Sequence, residues 1–449
     1  MTVEIDIRTL HSAVPDEALR SHQLLDPAFD GLWNGDSTGS WLTADEARRR
    51  ARAGVQNLPS WLDQDPELVL QSVVSPRRRE ARLDVLGAVA QFRTLSVDQL
   101  AQITGRPGLL REHNEILGEL FAAGLIDLGT AGGSSLLGGV GRSLLVRPAR
   151  TDVYDKKVAP LLTRAENAGI TGGSGWASDQ QYPRHNALAT TTLLRLAEFV
   201  ETGGVAGELL SSYGDLAQVR SGLPRPASPA SPDGVFLRSD GVAVALELQI
   251  SVGPNVRSKI RRIAELLHSV RLADSGLVVL MVTARRRAAS GDVHRQLRSW
   301  VREAVRDFPG ARGDRTADRF FLAAYEDWFP DRHQVLPEFL EMVAWRPSGP
   351  VNDPWTQASI LDVVGDLPFD PADPSRIEAA LTNVRTLRGT PYWLRGGQRP
   401  PIWASTVVAA GFPNGIPRPP LARPERPGGQ PVGSARGAAG ATQIPRRLR

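Results

Sequence analysis

At 449 residues and 41% hydrophobic content, the chain is long enough for two or three domains with real cores. The absence of cysteine excludes disulfides, thiolate nucleophiles and cysteine-ligated zinc. A formal net charge of +4 is too small to imply a nucleic-acid partner by itself, and no apolar run approaches the ~18 residues of a membrane span. With no signal-peptide pattern either, the expected location is the cytoplasm, with no membrane partner.

Residues 1–75 read as an irregular N-terminal extension with one helix, over Trp41 to Gly54, capped by Thr43. From Arg77 the periodicity sharpens. A helix from Arg82 to Arg93 carries Leu83, Leu86, Val89 and Ala90 on one stripe. Ser96 caps a second helix, VDQLAQIT, which Gly105 ends. Pro107-Gly108 opens a third through LLREHNEILGELFAAG, and two apolar runs then flank a Gly/Ser-rich tip.

Three short helices and a β-hairpin predict a winged helix-turn-helix over residues 76–150. In such a module the third helix enters the major groove. The candidate DNA-binding residues are Arg106, Arg111, His113 and Asn114, with Arg142 in the wing. Glu112, Glu115 and Glu119 stand against them, because acids repel phosphates. Dimerisation or protein contact is the alternative use of this module.

Residues 151–175 read as a linker, with a helix from Tyr154 to Ala168 followed by TGGSG. A second domain is expected over 176–328. It opens with a helix from His185 to Glu201, where Glu198, like Glu208 beyond it, reads as a surface acid. Pro232 to Arg238 and Val242 to Ile250 form a hairpin around Ser239-Asp240-Gly241. The helix after it, Asn255 to Arg271, turns Val256, Ile260, Ile263 and Leu267 inward. Arg257, Lys259, Arg261 and Arg262 lie toward its other side, so Arg257 and Arg261 join the DNA-binding candidates. Strand Leu277 to Thr283, helix Gly291 to Asp307 and strand Arg319 to Tyr325 complete a mixed sheet flanked by helices. Residues 329–411, with Trp345, Trp355, Trp393 and Trp403 among prolines, read as a loop-rich appendage with one helix from Pro374 to Arg388. Residues 412–449 hold seven arginines against one acid and read as a disordered basic tail.

The chemistry concentrates in the hairpin. With a three-residue turn, Arg238 lies opposite Val242 and Asp233 lies opposite Glu247, their Cβ atoms ~5 Å apart. Two carboxylates that close repel unless a cation or a proton sits between them, and their oxygens suit a hard ion such as Mg²⁺. A two-residue turn would send them to opposite faces. The chain has only three lysines, Lys156, Lys157 and Lys259, and the last falls on the helix that follows the Glu247 strand. If Glu247 is not part of a metal pair, an arginine such as Arg195 is its alternative partner.

The stretch PDGVFLRSDGVAVALELQ, Pro232 to Gln249, resembles the core of the replication-relaxation family of plasmids and integrative elements of actinobacteria. The resemblance implies an α+β, multidomain chain: an N-terminal winged helix-turn-helix followed by a PD-(D/E)xK nuclease-like α/β domain with a mixed sheet. The family's proline-aspartate pair falls on Pro232 and Asp233, and its strand glutamate on Glu247. Gln249 stands where an active nuclease carries lysine, and Lys259 is the candidate replacement.

Three readings follow. The leading one is a double-stranded-DNA-binding protein of a mobile element, an accessory of plasmid replication, relaxation or conjugal transfer whose nuclease-like domain does not cleave. The second is an Mg²⁺-dependent endonuclease with catalytic Asp233, Glu247, Gln249 and Lys259, the metal held by Asp233 and Glu247. The third is a docking partner of a relaxase or replication initiator. A homodimer is compatible with each.

Overall fold

The computed structural model describes residues 40–55, 57–111, 114–130, 144–172, 175–176, 182–199, 204–208, 213–218, 231–238, 241–284, 292–330, 335–347, 355–360, 391, 393–394 and 400–403. The chain is mixed α+β and divides into two compact units. One is drawn from Met1–Leu194 with Thr382–Ile416, the other from Arg195–Leu381 with Pro417–Arg449. Among the described residues no helix is long and apolar enough to cross a membrane.

The first unit is built on an antiparallel four-stranded sheet. Its strands are β1 (Ser40–Leu42), β2 (Leu95–Ser96), β3 (Ile126–Thr130) and β4 (Leu144–Pro148), in the order β1-β3-β4-β2. Thr43 caps α1 (Ala44–Arg52), and Asp65 caps α2 (Pro66–Val74), whose first residue is a proline that has no N–H to lose. Then come α3 (Arg79–Phe92) and α4 (Val97–Thr104). Ser96 and Gln99 form a reciprocal capping box at the start of α4, and Gly105 ends it at φ 65.

The third helix of the sequence pattern is broken in two. Pro107–Leu110 make a 3-10 turn, and α5 begins only at Glu115 and runs to Ala122. The cause is local: Asn114 accepts from the Leu117 N–H (3.1 Å) and donates to the Gly108 carbonyl (2.8 Å), so it caps a new helix instead of continuing the old one.

Residues 40–75 are less irregular than their composition suggests. β1 extends the sheet beside β3, and α2 packs on α5. Glu119 of α5 is buried, where it accepts from Ser72 of α2 (3.1 Å) and pairs with the buried Arg82 of α3. Where α5 meets the preceding loop, a Cβ on Gly118 would collide with the Trp61 carbonyl and lie 3.0 Å from its ring. Alanine normally stabilises a helix interior by ~1 kcal/mol over glycine. Here the sign reverses: Gly118→Ala should cost about 1–3 kcal/mol through overpacking. A urea-unfolding midpoint at or above wild type would refute this contact.

The segment expected as a linker is also packed. Two short turns, Tyr154–Val158 and Ala159–Leu161, end at Leu162, and a Thr163/Glu166 capping box starts α6 (Arg164–Thr171), which lies on α3. Trp176 stacks on Tyr154 at 4.5 Å. Helix α7 (Pro183–Phe199) follows, with its residues to Leu194 in the first unit and those from Arg195 in the second. The buried Trp393 donates to the Gln102 carbonyl (2.6 Å), so part of the supposed C-terminal appendage belongs to the first unit.

The second unit holds a seven-stranded mixed sheet. In chain order its strands are β5 (Gly204–Gly207), β6 (Gly234–Leu237), β7 (Ala243–Gln249), β8 (Leu277–Thr283), β11 (Phe320–Ala324), β12 (Val343–Pro347) and β13 (Trp355–Ser359). A two-residue pair, β9 (Gly310–Ala311) with β10 (Asp314–Arg315), stands apart. The spatial order is β13-β12-β11-β8-β7-β6-β5. β5, β6 and β7 form an antiparallel meander, β7, β8 and β11 run parallel, and β12 and β13 close the far edge antiparallel.

Parallel neighbours need crossover helices. After the short α8 (Tyr213–Gln218), these are α9 (Pro254–Ser269), followed by the one-turn α10 (Leu272–Ser275), and α11 (Val293–Asp307). Two one-turn helices, α12 (Tyr325–Trp328) and α13 (Pro337–Leu340), precede β12. Every residue of β7 and β8 is buried, so β7 is covered on its alanine-lined face as well as its aliphatic one. The domain boundary expected near 328 is therefore misplaced, because β12 and β13 continue the same sheet. The helix expected at 374–388 and the basic tail lie outside the described residues.

Candidate functional site

The hairpin adopts the register of the three-residue turn. Gly234 faces Leu246, Val235 faces Ala245, and the Arg238 N–H donates to the Val242 carbonyl (2.9 Å). Asp233 sits just ahead of β6. Its N–H donates to the Leu246 carbonyl (2.9 Å), while its Oδ2 accepts the Leu248 N–H at 2.6 Å. The side chain thus takes over the ladder's acceptor role at the end of the strand pair.

Glu247 is 0% exposed and its carboxylate is engaged at both ends. Oε2 accepts from the Lys259 ammonium at 2.6 Å, and Oε1 accepts from the Tyr213 hydroxyl at 2.8 Å. Lys259 also reaches the Ser231 carbonyl at 3.4 Å. The partner of Glu247 is therefore Lys259 and not Arg195, whose guanidinium lies over the Phe329 ring at 4.7 Å.

Electrostatics couple the cluster. Burial pushes the Glu247 carboxyl up to about 7, against the pull of Lys259, and the Asp233 carboxylate adds to the rise. For Lys259, burial works downward, but the carboxylates of Glu247 and Asp233, with Glu208 beyond them, outweigh it and hold the ammonium above the ordinary lysine range. Burial, with Glu247 alongside, keeps the Tyr213 hydroxyl protonated. An ammonium and a hydroxyl both donating to the one carboxylate stabilise its ionised form.

Asp233, Glu247 and Lys259 thus converge as the register requires. Gln249, two residues along the same face of β7, is buried. Glu198, expected on the surface, is only 5% exposed. Tyr213 was not legible, since α8 is six residues long with no periodicity to mark it.

Mg²⁺ does not fit the residues as they stand. Both Glu247 oxygens and Asp233 Oδ2 already accept short hydrogen bonds, and an ammonium stands against the carboxylate a metal would need. Among the described residues, no group of three or more His, Asp or Glu side chains is arranged to hold a metal ion.

The DNA-binding candidates divide. Arg106 is tied to Asp84 (2.6 Å) and Glu80 (3.2 Å), and Asn114 is spent on its cap. Arg111 is exposed at the end of the 3-10 turn, and His113 and Arg142 lie outside the described residues. Most of α5 is buried, from Leu117 to Ala122, which leaves little of it to enter a groove. Arg257 and Arg261 are exposed on α9 but bridge to α11: Arg257 to Glu303 at 2.6 and 2.7 Å, and Arg261 to Asp307 at 2.7 Å.

These bridges fasten together two helices that are basic as a pair. α9 and α11 carry eight Arg and Lys side chains against three acids. Lys259 turns into the acid pocket, and Arg298 stacks on Trp345 and Trp355 at 4.4 and 5.2 Å. Arg262, Arg295, Arg302 and Arg306 remain exposed along the two helices. Among the described residues, Arg262 and Arg302 make no ion pair.

No family model, no curated protein and no solved structure matches this chain.

Proposed function

We propose that the chain is a double-stranded-DNA-binding protein of the replication-relaxation type, an accessory of mobile-element replication or transfer that holds DNA without cutting it. Two connectivities support the reading. In the first unit, α3, β2, α4, α5, β3 and β4 follow one another with β2 and β3 flanking β4, an order compatible with a winged helix-turn-helix. In the second, α7, the β5–β7 meander, α9 and parallel β8 follow an order compatible with a PD-(D/E)xK core, in which Asp233 and Glu247 would be the acids.

The observation that carries the proposal is the α9–α11 face. Its helices are cross-braced by the ion pairs of Arg257 and Arg261, and its arginines line the solvent side. Such a face offers cations to a phosphate backbone without reading bases. Placing DNA there relieves a conflict in the first unit, where α5 is covered by α2 and its exposed end carries Glu115, paired with Arg78.

The test is fluorescence anisotropy with a duplex of about 30 base pairs across roughly 50–200 mM salt. Affinity should fall steeply with salt. Replacing Arg262, Arg295, Arg302 and Arg306 with alanine should reduce the log–log slope by about 3–4, one phosphate contact for each arginine. The duplex should stay intact when Mg²⁺ is present. A slope unchanged in the quadruple variant would remove DNA from this face, and cleavage abolished by Asp233→Asn would replace the proposal with the endonuclease reading.

A further inference from the structure

We infer that Lys259 is the resident cation of the acid pocket: its ammonium takes the place a divalent ion would occupy, which makes the pocket, and DNA binding by this chain, independent of metal. The occupancy of the pocket does not rest on the DNA reading, whereas the clause on DNA binding does.

The geometry is specific. Three carboxylates, Glu208, Asp233 and Glu247, act on one ammonium, which touches Glu247 Oε2 at 2.6 Å and the Ser231 carbonyl at 3.4 Å. These are oxygen donors of the kind a hard cation selects, carboxylates with a main-chain carbonyl. The lysine comes from α9 and not from β7, where Gln249 takes the second polar position. Lys259 thus reaches the carboxylate from the crossover helix. It is 22% exposed while Glu247 is 0% exposed, so it also closes the way to the carboxylate.

A single ammonium leaves the pocket short of positive charge, because Asp233 and, more weakly, Glu208 act on it as well as Glu247. The Tyr213 hydroxyl and the Leu248 N–H supply the remaining stabilisation as hydrogen bonds to Glu247 and Asp233. Deleting the ammonium while keeping the acids therefore leaves an oxygen-lined, strongly negative pocket. Deleting the charge of Glu247 as well leaves no such pocket.

The experiment follows Mn²⁺ uptake by the loss of the free-ion electron-paramagnetic-resonance signal, on the full chain. It compares wild type, Lys259→Met, Glu247→Gln and the double variant Glu247→Gln/Lys259→Met. Wild type should show no uptake that depends on Glu247. Lys259→Met should gain one site at least about tenfold tighter than anything in wild type, in the submillimolar range usual for exposed carboxylate sites. The double variant should lose that site. Uptake by wild type that Glu247→Gln abolishes overturns the inference, as does a folded Lys259→Met variant no better than wild type. If Lys259→Met does not fold, the comparison of wild type with Glu247→Gln still decides. A metal-blind wild type whose DNA affinity is also unchanged on swapping EDTA for Mg²⁺ at constant ionic strength supports the inference. Failure to bind DNA at all sinks only the function proposed above, and leaves the metal result standing.

Discussion

Lys259→Met should be destabilising, by about 1–2 kcal/mol more near pH 8 than near pH 5, because it leaves Glu247, fully buried, without its counter-charge. The cost should depend on pH, and its sign follows from the carboxyl. In the folded chain burial raises Glu247 to about 7, above the 4.5 of an ordinary glutamate. A raised folded value means that the stability this group contributes is fully present below about 4.5 and is lost as pH climbs through about 7. Lys259 opposes that rise, so removing it moves the folded value further up and widens the window of loss. The deficit of the variant relative to wild type should therefore be small near about pH 5 and largest near about pH 8, read as urea midpoints. Adding Glu247→Gln should recover much of the loss, since a buried pair replaced at both ends costs far less than one broken at one end. An equal deficit at both pH values would mean that Lys259 contributes through packing alone.

Much of this pocket could be read in the sequence because its determinants are local. The turn-forming residues between the two extended runs and their alternation predict the hairpin register, and the register sets the level of Asp233 against Glu247. The alternation along β7 and the apolar run of β8 mark both strands, and Ser96, Gln99 and Gly105 mark both ends of α4. Most of what escaped depends on partners distant in sequence, and one break on a local cap. β12 and β13 are short and proline-flanked, and they become strands because β11 offers an edge on which Trp345 can pair with Leu322. The break before α5 turns on Asn114, which reads equally well as a helix residue or a cap until its bond to Gly108 is seen. Arg257 and Arg261 looked free on a helical wheel, because their partners Glu303 and Asp307 are over 40 residues away. The sequence pattern on α9 located the basic face, while α11 determined which arginines are left to use it.

Arg319→Ala should be among the most damaging substitutions in the second unit, at about 3–5 kcal/mol. The guanidinium is 0% exposed and has no role at the acid pocket. It donates to the carbonyls of Leu267 (2.9 Å) and Val270 (2.5 Å) at the end of α9, to that of Leu277 (3.0 Å) at the start of β8, and to Ser275 Oγ (3.1 Å) in α10. A helix leaves its last four carbonyls without intrahelical partners, and here one side chain from the residue before β11 satisfies two acceptors at that end. Burial lowers its pKa to about 10, with Asp314 at 3.6 Å opposing the shift, so it remains charged at neutral pH. Alanine would leave those acceptors dry and unpaired around a cavity. Arg319→Lys should recover little, because one compact ammonium cannot span carbonyls on two elements as a planar fork does. The expected readout is a fall of about 10 °C in the unfolding transition of this unit, with Asp314→Asn costing much less. A change below about 1 kcal/mol would show that the α9 terminus holds without this arginine. The consequence for function is direct. α9 carries Lys259 on one side and Arg257, Arg261 and Arg262 on the other, so a frayed C-terminus should weaken the brace to α11 and with it the salt-dependent part of DNA affinity.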